Sequence, residues 1–211
     1  MRIDQTLYRY FSISIFSFLI LSLPVTVSAE GFEQLRKDSA NIKTIQARFV
    51  QKKFMKILAR PLISEGRFYY VAPDSFRWEY LKPLRSVVIA SSGDTRRYTL
   101  SGGKMIEDKS GGAQAMRIVL SEVTGWMSGK FDQNPSFTAT LKEGTNILIT
   151  LTPAGKSMSG MIEKIEITVS RKAAAVKSVK IIESANAFTQ IDFTDVEINK
   201  VISSSVFQAV Q

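Results

Sequence analysis

The stretch that decides the fold spans residues 64–81 and has the sequence SEGRFYYVAPDSFRWEYL. Aromatic residues recur at every second position on both sides of Pro73 and Asp74, a pair typical of tight turns. Side chains two residues apart on a strand point to the same face. The aromatic residues that share a face are Phe68 and Tyr70 before the turn and Phe76, Trp78 and Tyr80 after it. We therefore predict a β-hairpin of strands 64–72 and 75–81 with one aromatic face.

The period of two extends along most of the remaining chain, and turns of hairpin length separate the segments. In residues 161–170, for example, Ile165, Ile167 and Val169 alternate with polar neighbours, which is typical of an antiparallel sheet with one covered face. The further predicted strands are 45–54, 86–91, 97–100, 104–108, 136–142, 146–152, 175–184 and 187–198. Because a sheet this wide must curl or close, we predict a single, strongly curved antiparallel sheet of about ten strands.

Two segments have helical spacing instead. Residues 31–43 place their apolar side chains on one face, and residues 112–129 repeat apolar side chains, among them Met116, Leu120 and Met127, at helical intervals. The predicted fold is therefore mainly β with two helices. Helices on the concave side of the sheet either fill the space or roof a cavity, and the spacing alone leaves both open.

Residues 1–29 have the layout of a secretory signal peptide. A short basic start precedes an apolar run over residues 11–25, and small residues end at Ala29. The alternative, an uncleaved anchor, is disfavoured because the run is shorter than the ~20 residues of a membrane span and is interrupted by serines. We expect cleavage after Ala29, which leaves one exported, soluble, monomeric domain, residues 30–211.

The charge of this domain limits its partners. It has 26 basic and 18 acidic residues, a formal charge of +8. Such a surface suits anionic lipid headgroups or an acidic protein, or only keeps the protein soluble, whereas nucleic acid is the least expected partner of an exported chain. Lys52, Lys53, Lys56 and Arg60 cluster near the end of the first strand, where they either bind an acidic partner or lie in a solvated loop.

Two residue types are missing, and their absence narrows the possible chemistry. The chain contains no cysteine and no histidine, which excludes disulfides, thiol nucleophiles, Ser-His-Asp triads and sites that need thiolate or imidazole ligands. We expect no cofactor and no metal. The remaining enzymatic alternative is a hydrolase that uses Ser101 and Lys104, but this pair lies in a Gly-rich turn, and a Ser-x-x-Lys nucleophile should open a buried helix. We therefore expect a protein that is not an enzyme.

The N-terminal half resembles the periplasmic outer-membrane lipoprotein carriers, the LolA family. The resemblance rests on an order of motifs: Phe-x-Gln, Gly, Pro-x-x-Phe-x-Trp and Pro. In this chain the order is carried by Phe49 to Gln51, Gly66, Pro73 to Trp78 and Pro83, with further agreement at Ser64, Glu65, Phe68, Asp94 and Tyr98. The C-terminal half agrees only in its pattern of strands.

The resemblance implies an unclosed β-barrel covered by α-helices, with an apolar cavity beneath a helical lid. It implies that the cavity or lid is built from Phe49, Phe68, Tyr70, Phe76, Trp78, Met116 and Leu120. In familiar members an arginine precedes the Pro-x-x-Phe turn and latches the lid, whereas this chain has Ala72 there, so Arg77 is the candidate for the latch. From their spacing alone, the aromatic residues are ordinary core residues.

The resemblance also implies a function and partners. Such carriers take an acylated lipoprotein from an ATP-driven extractor complex in the inner membrane and deliver it through the periplasm to an acceptor in the outer membrane. A related domain can serve another lipidic cargo, such as a glycolipid or an acylated intermediate. The sequence therefore predicts a carrier of acyl chains, with the other lipid as the alternative cargo.

Overall fold

The computed structural model describes residues 27–91, 93–108, 122–155, 162–208 and 210, with side chains from Ala29 onward. The predicted signal segment lies almost wholly outside these residues, so its cleavage stays a prediction. Within the described residues, no helix combines the length and the apolar character that crossing a membrane requires.

A short helix precedes a long series of strands. Helix α1 spans Val27–Ser39, and six strands follow it before the next helical segment. They are β1 (Thr44–Met55), β2 (Leu62–Val71), β3 (Ser75–Lys82), β4 (Ser86–Ser91), β5 (Asp94–Ser101) and β6 (Lys104–Glu107). Residues 122–127 are helical and are called α2 below. The later strands are β7 (Phe137–Lys142), β8 (Asn146–Pro153), β9 (Lys164–Ser170), β10 (Val176–Ser184) and β11 (Ala187–Ile198), and a 3-10 turn spans Ser204–Phe207.

The eleven strands of the described residues form one antiparallel sheet, in the order β6-β5-β4-β3-β2-β1-β11-β10-β9-β8-β7. Each half of the chain is a meander, and β1 joins the halves by pairing with β11, from Ile45 opposite Ile198 to Met55 opposite Ala187. β6 and β7 remain as the two edges, so the sheet is an unclosed barrel. The predicted fold class is confirmed, with eleven strands where about ten were expected.

The main core lies on the concave face of the sheet. Alternate side chains of β1, β2 and β3 are buried there together with residues of β8, β9 and β10. α1 contributes Phe32 and Leu35, and α2 contributes Trp126 and Met127. The two helices therefore cover the concave side with their apolar faces.

A smaller apolar cluster lies on the opposite, outer face. Val87, Ile89 and Tyr98 are buried there, and Phe207 and Val210 of the C-terminal segment pack against them. This cover explains why four successive residues of β4 are buried. The alternation typical of one covered and one solvated face therefore fails locally, because the C-terminal segment covers the outer face of β4.

Candidate functional site

The centre of the site is an aromatic cluster on the concave face of β1, β2 and β3. The Phe49 ring lies 4.5 Å from that of Trp78 and 5.3 Å from that of Tyr80, measured between ring centroids. Phe68 contacts Trp78 edge to face at 5.5 Å. The chain can pack these rings so closely because β2 has Gly66 opposite Phe49, where a side chain would overlap the Phe49 ring.

Next to this cluster the concave face contains a partly enclosed cavity of about 140 Å³. Its walls are almost entirely apolar, and five strands and α2 contribute to them. The lining residues are Gln51, Trp78, Tyr80, Val88, Val179, Ile181, Thr189, Ile191 and Phe193 from the strands and Val123, Trp126 and Met127 from α2. A cavity of this size and apolar character favours a small apolar group over water, since the described wall offers few polar partners.

The α2 segment forms one wall of the cavity and is anchored at its C-terminal end. Gly129 has a φ of 75°, and a Cβ there would lie 3.0 Å from the Cα of Arg36 and from the carbonyl oxygen of Leu35. Glycine therefore permits both the turn after the helix and its close contact with α1. Arg36 also forms an ion pair of 2.6 Å with Asp132, which ties the same end to α1.

Three polar side chains of the cavity, those of Gln51, Tyr80 and Thr189, have hydrogen-bond partners, whereas the buried indole N–H groups of Trp78 and Trp126 have none among the described residues. The Tyr80 hydroxyl donates a 2.9 Å hydrogen bond to Gln51 Oε1, and burial raises the pKa of this phenol, so it remains neutral. Thr189 Oγ donates to Glu183 Oε1 at 3.4 Å, and Glu183 in turn pairs with Lys53. The other described residues of the wall are aliphatic or aromatic side chains.

The predicted site residues fall into three groups. Trp78 lines the cavity. Phe49, Phe68, Tyr70 and Phe76 are buried in the core of the same face. The remaining two, Met116 and Leu120, lie outside the described residues, so their place in a lid stays a prediction.

Arg77 lies on the other face of β3, a position that gives no support to its expected role as the lid latch. Its guanidinium group pairs with Glu79 at 3.0 Å and donates to the carbonyl oxygen of Val206 at 3.1 Å. Neighbouring residues of a strand point to opposite faces, so Arg77 points away from Trp78 and the cavity. It holds the C-terminal 3-10 turn and does not face α2.

Ser101 and Lys104 are opposed at the end of the β5–β6 hairpin, and both residues are exposed. A serine nucleophile needs an amine whose pKa is lowered by burial or by neighbouring charges. The hairpin provides neither a buried setting nor a helix, so the geometry gives no support to the hydrolase alternative.

Five of the twelve described residues that line the cavity come from strands that the sequence did not connect with the site. β10 contributes Val179 and Ile181, and β11 contributes Thr189, Ile191 and Phe193. Their alternation predicted strands, but only the pairing of β11 with β1 brings them beside Gln51. The one signal in the sequence was a run of apolar residues at every second position in both strands.

A wider groove, of about 560 Å³, lies on the outer face of β1, β2 and β11. It is open to solvent and lined by polar and charged residues, including Arg48 and Asp195, which form a 3.5 Å ion pair. An open groove of this composition does not exclude water from apolar groups. The smaller, partly enclosed cavity is therefore the better candidate for a site that binds apolar ligands.

Comparisons with known proteins agree with this architecture. A family model described as the outer membrane lipoprotein carrier protein LolA matches residues 40–210. The outer-membrane lipoprotein carrier protein of Dechloromonas aromatica (strain RCB) is 22% identical over 186 residues, which cover 88% of this chain and 86% of that relative.

Solved structures share the fold at low sequence identity. An uncharacterised conserved protein from Thermus thermophilus superposes with a TM-score of 0.54 at 9% identity, over 86% of this chain and 93% of the other. A chain of the MucA/MucB complex of Pseudomonas aeruginosa superposes with a TM-score of 0.51 at 14% identity, over 86% of this chain and 60% of the other. At these identities the likeness concerns the fold alone.

Proposed function

Since the chain belongs to the family of the outer membrane lipoprotein carrier protein LolA, we propose that it carries the acyl chains of lipoproteins in the apolar cavity beside α2. The observation that carries this proposal is the partly enclosed cavity with its aromatic and aliphatic wall. The Dechloromonas relative is named as such a carrier, and its similarity extends over most of both chains.

The size of the cavity indicates how cargo enters. About 140 Å³ accommodates a group of the size of benzene, which is much less than a long acyl chain. Cargo therefore binds as α2 moves away from the sheet, while its anchor at Gly129 stays on α1. The closed form buries Val123, Trp126 and Met127 against the wall, so closing competes with the ligand and favours its release.

The energetics suit a shuttle that must both hold and release its cargo. An acyl chain gains ~0.8 kcal/mol for each buried methylene, on the order of 10 kcal/mol for a long chain. Part of this gain is spent on separating α2 from the sheet, so that the net affinity is lower. A weaker net affinity lets an acceptor with a more accessible apolar site take the cargo.

We infer the setting of the proposed function from the signal-peptide layout and from the family resemblance. The signal peptide directs the chain to the periplasm, where cleavage after Ala29 releases a monomeric carrier. Its partners are an ATP-driven extractor complex in the inner membrane, which loads it, and an acceptor in the outer membrane, which unloads it. The carrier catalyses no reaction and needs no cofactor.

Displacement of a fluorescent fatty-acyl probe tests this function. Addition of a diacylated or triacylated lipopeptide should displace the probe from the purified protein, whereas the same peptide without acyl chains should not. If a chemically different lipid copurifies with the protein and displaces the probe while the lipopeptide fails, the cargo is that lipid. If no acylated ligand binds, the carrier function is wrong. Ser101→Ala, a matched control for the hydrolase alternative, should behave as the wild type.

A further inference from the structure

One end of the sheet exposes an unusual number of large aliphatic side chains. The register of β1 to β6 places loops 56–61, 83–85 and 102–103 together at this end. We call it the loop end. Its exposed aliphatic residues are Ile57, Leu58, Leu62, Ile63, Leu81, Leu84 and Leu100, of which Ile57 and Leu84 are 87% and 80% exposed. Isolated exposed aliphatic residues are common, but a cluster on neighbouring hairpins marks an interaction surface.

Basic residues accompany these aliphatic side chains. Loops 56–61 and 83–85 contain Lys56, Arg60 and Arg85 and no acidic residue. Lys56 and Arg60 are exposed and form no ion pair with the other described residues, whereas Arg85 contacts Glu79 at 3.3 Å. The loop end thus combines protruding apolar tips with positive charge.

A groove of about 360 Å³ continues this surface between loop 56–61 and the β10–β11 turn. Phe54 and Phe188 stack in its wall with ring centroids 4.3 Å apart, and Lys56 and Arg60 line its rim. Apolar side chains such as Phe beside Lys and Arg are typical of surfaces that lie at the boundary between lipid headgroups and acyl chains.

We propose that the loop end binds the surface of an anionic lipid bilayer, with Ile57 and Leu84 entering the headgroup region and Lys56 and Arg60 contacting acidic headgroups. Charge complementarity and the protruding aliphatic tips favour this occupant, because interfacial binding combines apolar insertion with electrostatic attraction. The turns at the opposite end differ, since they carry Asp74, Asp94 and Glu143 among their charged residues. This contact does not require any particular cargo in the cavity.

Vesicle flotation tests the proposal with the purified full-length domain. The protein should float with vesicles of phosphatidylethanolamine and phosphatidylglycerol at low salt, and less with phosphatidylcholine vesicles or at high salt. Lys56→Gln should weaken binding about fivefold, the change expected for one basic residue near an anionic surface. The double variant Ile57→Asp and Leu84→Asp should abolish it. Both side chains are largely exposed, so the fold and the displacement of the acyl probe should stay unchanged.

Two substitutions away from the loop end serve as controls. Val201 is 98% exposed in the segment after β11, and Lys172 is exposed in the β9–β10 turn. Val201→Asp and Lys172→Gln should float as the wild type does. The proposal is overturned if the wild type binds no vesicle, or if the double variant binds as well as the wild type. If the wild type binds no vesicle, the loop end is instead a surface that contacts a protein. This outcome does not depend on the displacement of the acyl probe, which tests the carrier function separately.

Discussion

The ring of Phe49 on β1 occupies the space above Gly66 on β2. The two residues are direct cross-strand partners, and a Cβ at Gly66 would overlap both the Phe49 ring and the backbone oxygen of Glu79. An aromatic ring that lies over a glycine of the next strand covers the backbone there. This arrangement lets Phe49 contact both Trp78 and Tyr80, which line the cavity. The absence of a side chain at Gly66 therefore determines how the cavity wall is packed.

Gly66→Ala should destabilise the domain by about 1–3 kcal/mol, the usual cost of inserting atoms into a packed core. The atom that the new Cβ would overlap most is the backbone oxygen of Glu79, which cannot move aside as the end of a flexible side chain can. We therefore expect a cost in the upper part of this range. Urea unfolding would measure the change. Gly155→Ala is the matched control, because a Cβ at Gly155 would meet no atom of the described residues within 4 Å, and its effect should be close to zero.

Arg77→Met removes the buried ion pair with Glu79 and should lower the free energy of unfolding by up to about 3 kcal/mol. This is the lower end of the range for a broken buried pair, because Arg85 still contacts Glu79 in the variant. Arg96→Met removes a more exposed pair of the same i, i+2 spacing, with Asp94, and should cost less than about 1 kcal/mol. Neither change should alter the rate at which a bound acyl probe dissociates. Faster dissociation from the Arg77 variant at unchanged stability would restore the latch role for this residue.

Val179→Phe should fill part of the cavity. Val179 is 4% exposed and lines the wall, so a larger side chain competes with the ligand for the same space. The affinity for the acyl probe should fall, while stability should rise by about 0.5–2 kcal/mol as in other cavity-filling changes. Val201→Phe adds the same atoms at a 98% exposed position and should leave the affinity unchanged. Unchanged affinity in the Val179 variant would place the ligand elsewhere.

Glu122→Gln should alter how stability depends on pH. Burial raises the pKa of Glu122 above its ordinary 4.5, and a 2.6 Å hydrogen bond from Asn134 lowers it by a smaller amount. A carboxyl whose folded pKa is raised stabilises the fold below its unfolded pKa, and this contribution is lost as the pH rises through the folded pKa. The variant should therefore exceed the wild type in stability at about pH 7, and the difference should shrink toward about pH 4. An equal difference at both pH values would contradict the raised pKa.

The sequence predicted the order of the described strands and most of their bounds to within two residues, because apolar alternation and turn residues are local signals, although β5 begins three residues earlier and β9 three residues later than predicted. β4 and β11 have the predicted bounds. α1 was placed at 31–43 but ends at Ser39. Asn199, directly after β11, accepts hydrogen bonds from the backbone N–H groups of Lys43 and Thr44 and donates to the carbonyl oxygen of Asn41. Asn199 therefore fixes the connection between α1 and β1 although it lies 156 residues from Lys43. No local sequence pattern predicts such a contact.

The site was less predictable than the fold. The family resemblance placed Trp78 at the cavity, whereas spacing alone indicated an ordinary core residue, and the wall opposite Trp78 comes from β10 and β11. Because Arg77 is next to Trp78 on a strand, strand alternation puts the two side chains on opposite faces. The sequence does not show that Arg77 donates a hydrogen bond to the carbonyl oxygen of Val206 in the C-terminal segment. Features that depend on which strands pair, or on what covers the outer face, arise from contacts between distant residues and need the three-dimensional structure.

Quenching of tryptophan fluorescence tests the central claim most directly. The chain has two tryptophans, Trp78 and Trp126, and both line the cavity, one on the sheet and one on α2. A lipopeptide with brominated acyl chains should quench their emission in a saturable way, and the same lipopeptide without bromine should displace it from the protein and restore the emission. Saturable binding of the brominated lipopeptide without any quenching would contradict the account, because the acyl chains would then lie outside the cavity.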